Sequence, residues 1–417
     1  MTLSSILYTR APPSLKILNQ LLLPHQTTYE SVTTVQQGYD QIKQMKVRGA
    51  PAIGIVASLS LAVDLQLKLH NFTDINPKDP EVLSIISSPQ ELKAFVRKSL
   101  DHLITSRPTA VNLFLASKKL WEITCKEFEE GLESREIIEK LVDAAVKMLE
   151  DDLEDNKNIG KHGGEFLIKK VEDEHENKMI SVITHCNTGS LATSGYGTAL
   201  GIIRDLHSRG RLLHAYCTET RPYNQGSRLT AYELLHDKIP STLICDSMVS
   251  SLLSSSTPPH LKSSLAVSAT SNKITAIIVG ADRISRNGDT ANKIGTYQLA
   301  ITAKYHGIFF IVAAPFMSID LTIKSGKDII IEERSEDEVV FVSGVPVIGE
   351  GGRYNEVKDE SGKIIIDKVR VPPRGVKVWN PSFDITPAEL ISAIVTEKGV
   401  FEKSEGVKEF NLEKSLE

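Results

Sequence analysis

The residues best suited to chemistry stand just after short apolar runs. The first such stretch is Thr184-His185-Cys186-Asn187-Thr188-Gly189-Ser190-Leu191-Ala192-Thr193. An Asn-Thr-Gly-Ser turn entering a helix could aim backbone N–H groups at an anion. It would also set Cys186 near a helix N-terminus, where the dipole favours a thiolate. The competing reading is a free cysteine packed as a small hydrophobe. The second stretch, Glu219-Thr220-Arg221-Pro222-Tyr223-Asn224-Gln225-Gly226-Ser227-Arg228, crowds two guanidinium groups and two amides into one loop. Such donors could hold a sugar phosphate, the guanidinium groups bidentately. A solvated loop with Glu219 and Arg221 paired would look the same.

The third stretch runs Gly280-Ala281-Asp282-Arg283-Ile284 and continues through Asn287-Gly288-Asp289-Thr290-Ala291-Asn292-Lys293-Ile294-Gly295. An aspartate at the mouth of an apolar strand can have its pKa raised by desolvation, which suits a general acid at Asp282. A turn or helix cap is the alternative there, and it is the preferred reading for Asp289. Nearer the N-terminus, Lys46-Val47-Arg48-Gly49-Ala50-Pro51 precedes an apolar helical pattern. Pro51 fits a first turn, and exposed amides there would seat a phosphate. Arg107, before Pro108 and another helical pattern, reads the same way.

Other patterns exclude chemistry. Gly195, Gly197 and Gly201 make a GxGxxxG run, but it begins ten residues past the strand and reads as the inside of a helix, so close packing explains it better than a dinucleotide. The eleven histidines include no HExxH or similarly spaced pair, and His185 has no obvious partner in sequence. We therefore expect no metal and no cofactor. Cys125, Cys186, Cys217 and Cys245 stand 61, 31 and 28 residues apart without a CxxC pair, which suits a reducing compartment.

The elements that must position these groups follow from periodicity. Before residue 175 the chain reads mainly as helix, after a hairpin-like entry at 5–30. Apolar residues recur at helical spacing over 53–69, 91–104, 109–125 and 134–153, with a glycine-punctuated seam at 156–164. Beyond it, β-branched runs at 179–184, 212–218, 241–245, 274–279 and 308–313 start 33, 29, 33 and 34 residues apart with helical segments between. That alternation predicts βαβ units and a buried parallel sheet. The fold class is therefore α/β: a helical N-terminal domain over 1–175 and a Rossmann-like parallel-sheet domain over 176–417. Segments 250–272 and 335–374, rich in Ser or in Gly, Pro and charge, read as loops.

Composition agrees with a globular protein of two or three domains. The 417 residues carry 48 Lys plus Arg against 53 Asp plus Glu, a net charge of −5, with 41% hydrophobic residues. This mild acidity argues against nucleic-acid binding. No apolar run approaches the roughly 18 residues of a membrane helix. The first 29 residues lack acids but hold only Arg10 and Lys16 as bases, so we expect no targeting segment and a cytoplasmic protein, a nuclear pool being undecided.

Spacing alone stops at a phosphate-ligand enzyme on a Rossmann-like sheet. At Arg48-Gly49-Ala50-Pro51-Ala52-Ile53-Gly54, at 184–193, at 219–234, at 280–297 and at 378–387 (VWNPSFDITP), the chain resembles the methylthioribose-1-phosphate isomerase family of methionine salvage. The resemblance spans about residues 5–399 and departs modestly, as at Thr188 where an alanine is common. It implies aldose–ketose conversion of 5-methylthioribose 1-phosphate to 5-methylthioribulose 1-phosphate without metal or nucleotide. It implies Cys186 and Asp282 as the catalytic pair. It also implies substrate binding by Arg48, Gly49, Ala50, Arg107, Gln225, Asn292 and Lys293, and a homodimer. Two other activities share the fold: ribose-1,5-bisphosphate isomerisation, and regulation by protein contact in subunits of a translation-initiation guanine-nucleotide exchange factor.

Overall fold

The computed structural model describes residues 3–74, 79–108, 110–174, 179–255, 274–349 and 355–413. The chain forms two compact units. The first comprises Met1–Leu21, Thr27–Lys157 and Gly189–Gly197; the second comprises Leu22–Gln26, Asn158–Thr188 and Thr198–Glu417.

The first unit begins with an antiparallel sheet of β1 (Ile6–Thr9), β2 (Ser14–Leu18) and β3 (Tyr29–Val32), as the hairpin-like pattern predicted. Helices α1 (Val35–Lys43), α2 (Ala52–Asp74), α3 (Pro80–Ser87), α4 (Pro89–Ile104), α5 (Val111–Glu129) and α6 (Ser134–Glu174) follow. Asp79 and Ser88 cap α3 and α4, each with a proline in the first turn that has no amide to satisfy. The stretch Ala52–His70 of α2 is long and apolar enough to cross a membrane, contrary to the sequence expectation. Ser58, Ser60 and Asp64 interrupt the run and hide its length. The helix is the axis of this unit's core: Val56, Leu59, Leu61 and Leu65 are buried, each worth about 1.5–3 kcal/mol. Asp64 is satisfied there by the Val35 amide at 2.8 Å and Lys68 Nζ at 2.6 Å.

The second unit is built on β4 (Ile180–Thr184), α7 (Ala199–Ser208), β5 (Leu212–Thr218), α8 (Ala231–His236), β6 (Ser241–Ile244), α9 (Val249–Ser254) and β7 (Ile274–Val279). Then come β8 (Arg283–Ser285), β9 (Thr290–Lys293), α10 (Thr296–His306), β10 (Phe309–Ala313) and β11 (Ile319–Asp320). The chain ends with α11 (Asp337–Val340), β12 (Phe341–Gly344), β13 (Val347–Ile348), β14 (Asn355–Glu356), β15 (Asp367–Arg370), β16 (Phe383–Thr386), β17 (Ala393–Thr396) and β18 (Gly399–Glu402). Seven strands form one sheet in the order β18-β17-β10-β7-β4-β5-β6, parallel except for β18. The five predicted runs are β4, β5, β6, β7 and β10. Their apolar residues alternate between two cores, Val182 and Ile278 on one face, Ile183 and Ile277 on the other, which is why whole strands read as apolar. A smaller sheet of order β11-β8-β9-β16 lies downstream of β7.

Three local expectations are corrected. Helix α6 continues through 156–164 where a seam was expected. Gly163 and Gly164 are there for close packing, since a Cβ at either would collide with Ile202 or Asp205 of α7. Gly195 and Gly197 lie in the turn before α7 rather than inside a helix; Gly197 has φ +80°. Segment 335–374 is not plain loop but carries two short antiparallel ladders, β12 with β15 and β13 with β14. Most of the loop expected at 250–272 lies outside the described residues.

Candidate active site

The sheet runs from β4 through β5 to β6 in one direction and from β7 through β10 to β17 in the other. Such a reversal leaves a crevice beyond the carboxyl ends of the central strands, where ligands of open α/β sheets bind. Thr184 pairs with Ile278 across β4 and β7, so Cys186 and Asp282 leave the sheet at the same edge. Gly280 brings their turns together: a Cβ there would stand 3.0 Å from Thr188 Cγ2. The Asp282 amide donates to the Ala291 carbonyl at 2.9 Å, which ties its turn to the start of β9.

Strain concentrates in this crevice. Six non-glycine residues have positive φ among the described residues, and Cys186 (+67°), Thr220 (+61°) and Asn224 (+55°) all follow β4 or β5. Each such conformation costs about 1–3 kcal/mol and persists only where surroundings over-determine it. Here they do. The Cys186 amide donates to Thr220 Oγ1 at 2.9 Å, and its carbonyl accepts from the Thr230 hydroxyl. The Asp246 carboxylate accepts the amides of Thr220 and Arg221 at 2.8 and 2.7 Å. Gly226 allows the chain to fold back, because any Cβ would overlap the Thr218 carbonyl.

Buried polar atoms without a protein partner are uncommon and point to a ligand or to water. Gln225 Oε1, Asn224 Oδ1 and Thr188 Oγ1 are three such atoms, all in the turns after β4 and β5. Of the other thiols, Cys217 is pushed up to about 12 by burial in the sheet, and Glu219 raises that of Cys245. Cys186 follows the central strand β4 at the sheet reversal, whereas Cys245 follows the edge strand β6.

The end of β9 carries Asn292 and Lys293. Register with β16 sets Asn292 opposite Asp384 and Lys293 opposite Phe383, whose ring centroid is 5.1 Å from Lys293 Nζ. Asn292 Nδ2 donates to Thr296 Oγ1, which donates to the Lys293 carbonyl. Asp384 accepts the amides of Gly295 and Tyr297 at 2.8 and 3.1 Å at the start of α10. Burial raises its pKa to about 6, opposed by those two amides. His185, next to Cys186, is fully enclosed: Nδ1 is 2.6 Å from Thr218 Oγ1 and Nε2 is 2.9 Å from the Ile294 carbonyl. Burial lowers its pKa, against the raising influence of Asp246.

In the first unit, Arg48 and Arg107 precede the starts of α2 and α5. Those starts meet closely, since a Cβ on Gly54 would stand 2.7 Å from the Asn112 carbonyl oxygen. Gly49, at φ +105°, abuts Ala192, whose oxygen would lie 2.5 Å from a Cβ. The amides of Ala52, Ile53, Gly54 and Ile55 are all bonded, to Ala192, Gly49 and Pro51 carbonyls. The amides inside the start of α2 are therefore taken by protein carbonyls, and the Arg48-Gly49-Ala50 loop ahead of Pro51 is what the start of α2 presents.

One expectation fails here. No helix begins after Cys186 until Ala199, so the helix expected directly after the Asn-Thr-Gly-Ser turn is not there. Asp289 is a turn-holding residue as read, accepting the amides of Gly326 and Ala388 at 2.9 and 2.8 Å. Sequence reasoning missed His185, Asp246 and Asp384 as parts of the framework; their partners lie 25 to 109 residues away and leave no local signal. Among the described residues, no group of three or more His, Cys, Asp or Glu is gathered as a metal site.

Fold and site together define a Rossmann-like α/β protein with its ligand turns at a sheet reversal. The family model of the initiation factor 2 subunit family matches residues 46–403, and the chain belongs to that family. Within it, a methylthioribose-1-phosphate isomerase of Pyrenophora tritici-repentis is 51% identical over 98% of this chain and 94% of its own length. The crystal structure of 5-methylthioribose 1-phosphate isomerase from Pyrococcus horikoshii is 34% identical with TM-score 0.75, covering 99% of this chain and 95% of that one. That of translation initiation factor eIF-2B subunit delta from A. fulgidus is 33% identical with TM-score 0.72, covering 100% and 99%. By its full-length likeness to the isomerases, the chain is an enzyme of the isomerase class.

Proposed function

We propose that this chain converts 5-methylthioribose 1-phosphate to 5-methylthioribulose 1-phosphate in methionine salvage, with Cys186 and Asp282 as its catalytic pair. The observation that carries the reading is the joining of their turns through Thr188 and Gly280 at the sheet reversal. Likeness to the named isomerases supports the substrate. Gln225, Asn292 and Lys293 contact the sugar phosphate, and Arg48 with Gly49 and Ala50, and Arg107, supply phosphate contacts.

The substrate dictates the chemistry. Its C1 phosphate blocks the anomeric oxygen, so the ring cannot open to a free aldehyde. Protonated Asp282 donates to the ring oxygen as the C1–O bond breaks, which leaves positive charge at C1 and the carboxylate on the enzyme. The hydrogen on C2 leaves next. In one route the Cys186 thiolate takes it as a proton, giving an enol phosphate that is reprotonated at C1. In the other it moves to C1 as hydride and Cys186 shapes the site. Both end with a C2 ketone as the C2 hydroxyl gives its proton to the Asp282 carboxylate, which restores the acid, and cationic groups near the phosphate hold the reacting carbons in place.

The test is incubation of purified protein with 5-methylthioribose 1-phosphate deuterated at C2, and separately with ribose 1,5-bisphosphate, following ketose by NMR. Ketose from the methylthio sugar alone supports the proposal. Deuterium lost to solvent selects the proton route, and deuterium retained at C1 selects hydride. Ketose from the bisphosphate alone, or from neither, overturns it, the latter in favour of regulation by protein contact. By the same resemblance we propose a cytoplasmic homodimer, for which sedimentation must give twice the chain mass.

A further inference from the structure

We propose that His185 is a positioning residue, whose neutral imidazole fixes the Lys293 turn relative to the Cys186 turn through a single tautomer. The proposal rests on the isomerase reading for its kinetic test, though not for its spectroscopic one.

The ring is buried between two strand ends. A carbonyl oxygen can only accept, so Nε2 bears the hydrogen that reaches Ile294. In the neutral ring proposed here, Nδ1 carries the lone pair and accepts from the Thr218 hydroxyl 2.6 Å away. The other side of the Ile294 residue is held as well, its amide donating to the Ser382 carbonyl at 3.0 Å. Residue 294 is thus clamped at both ends, directly after Lys293. Gly295 makes room for the clamp: at φ +104° it has no Cβ, and one would stand 3.1 Å from the imidazole.

On its other side His185 is continuous with Cys186. The Cys186 amide is held by Thr220, whose hydroxyl lies 3.3 Å from that of Thr218, the partner of Nδ1. One side chain therefore joins the turns after β4, β5 and β9. It touches no reacting group and works by holding Lys293, so its loss must weaken phosphate capture more than turnover.

Two substitutions separate the nitrogens. His185→Gln sets an amide N–H near the position of Nε2 and keeps the bond to Ile294. His185→Asn reaches only the position of Nδ1 and loses it. With 5-methylthioribose 1-phosphate, the Asn variant must raise KM at least about tenfold with kcat within about threefold of wild type. The Gln variant must stay within about threefold on both. Equal defects in the two variants, a wild-type KM for Asn, or a loss confined to kcat overturns the proposal. A second measurement reads the wild-type ring directly and needs no turnover. Nitrogen NMR of histidine-labelled wild-type protein must show a neutral, Nε2-protonated ring for His185, assigned by its absence from the Gln variant. An imidazolium or an Nδ1-protonated ring overturns the proposal. An inactive wild type overturns the isomerase reading alone, because the tautomer is measured without turnover.

Discussion

Replacing Gly49 with alanine tests how the first unit presents Arg48. At φ +105° an L-residue takes on about 1–2 kcal/mol of backbone strain. The added Cβ would also stand 2.5 to 2.7 Å from three atoms of Ala192, two of them backbone. Ordinary contact begins near 3.4 Å, so the facing segment must retreat by almost 1 Å, and overpacking of this kind costs about 1–3 kcal/mol. Together these give about 2–5 kcal/mol. Swinging the Arg48-Gly49-Ala50 loop away relieves the strain, and the loss then falls on substrate binding; 3 kcal/mol is about 150-fold in affinity. Gly131→Ala is the control, since Gly131 has φ +80° but nothing within 4 Å of a Cβ. Steady-state kinetics with thermal unfolding on both variants is the assay. Gly49→Ala must raise KM by one to three orders of magnitude with kcat much less affected, while Gly131→Ala lowers the unfolding midpoint slightly and leaves KM alone. Wild-type KM in Gly49→Ala, or the same small effect in both variants, refutes the close-approach reasoning.

Three further outcomes follow from the second unit. Cys186→Ala must lose at least about a thousandfold in kcat while still binding inorganic phosphate in calorimetry; near-wild-type turnover removes Cys186 from the chemistry. Asp282→Asn must be inactive yet fold with an unchanged circular dichroism spectrum, because an amide cannot supply the proton; substantial isomerisation by the folded variant would end the general-acid role. Asp384 has a folded-state pKa of about 6, above its unfolded 3.8, so the folded protein holds its proton more tightly and this contribution to stability is lost as pH rises through that window. Asp384→Asn must therefore gain on wild type by about 3 kcal/mol between about pH 4 and about pH 7. Paired urea-unfolding series measure it, and a difference independent of pH contradicts the burial effect.

The strands were legible because burial on both sheet faces leaves whole β-branched runs, as in 180–184, where every residue is buried. Helix α6 was misread because Gly163 and Gly164 look like breakers until Ile202 and Asp205 are seen against them. At the site, Cys186 and Asp282 stood out as polar residues after apolar runs. Their framework did not, since His185 meets Ile294 109 residues on and Asp384 meets Gly295 89 residues back. Polar partnerships at such separation leave no periodicity. The helix expected directly after Cys186 is absent for a related reason, because the turn after β4 is longer than its Asn-Thr-Gly-Ser motif suggests and α7 starts only at Ala199.

The assignment of Gly189–Gly197 to the first unit and of Leu22–Gln26 to the second bears on how the chain comes off the ribosome. A nascent chain that has emerged as far as Lys157 still lacks Gly189–Gly197, whose Ala192 packs against Gly49, and that segment arrives only after β4 has been made. The last segment of the first unit is therefore synthesised after part of the second. Neither half can be expressed as a complete module by cutting at one point, and a truncation between α6 and β4 leaves the Arg48 loop without its supporting wall. Because each unit is completed by a segment encoded within the other, a gene cut at any single point divides at least one of them.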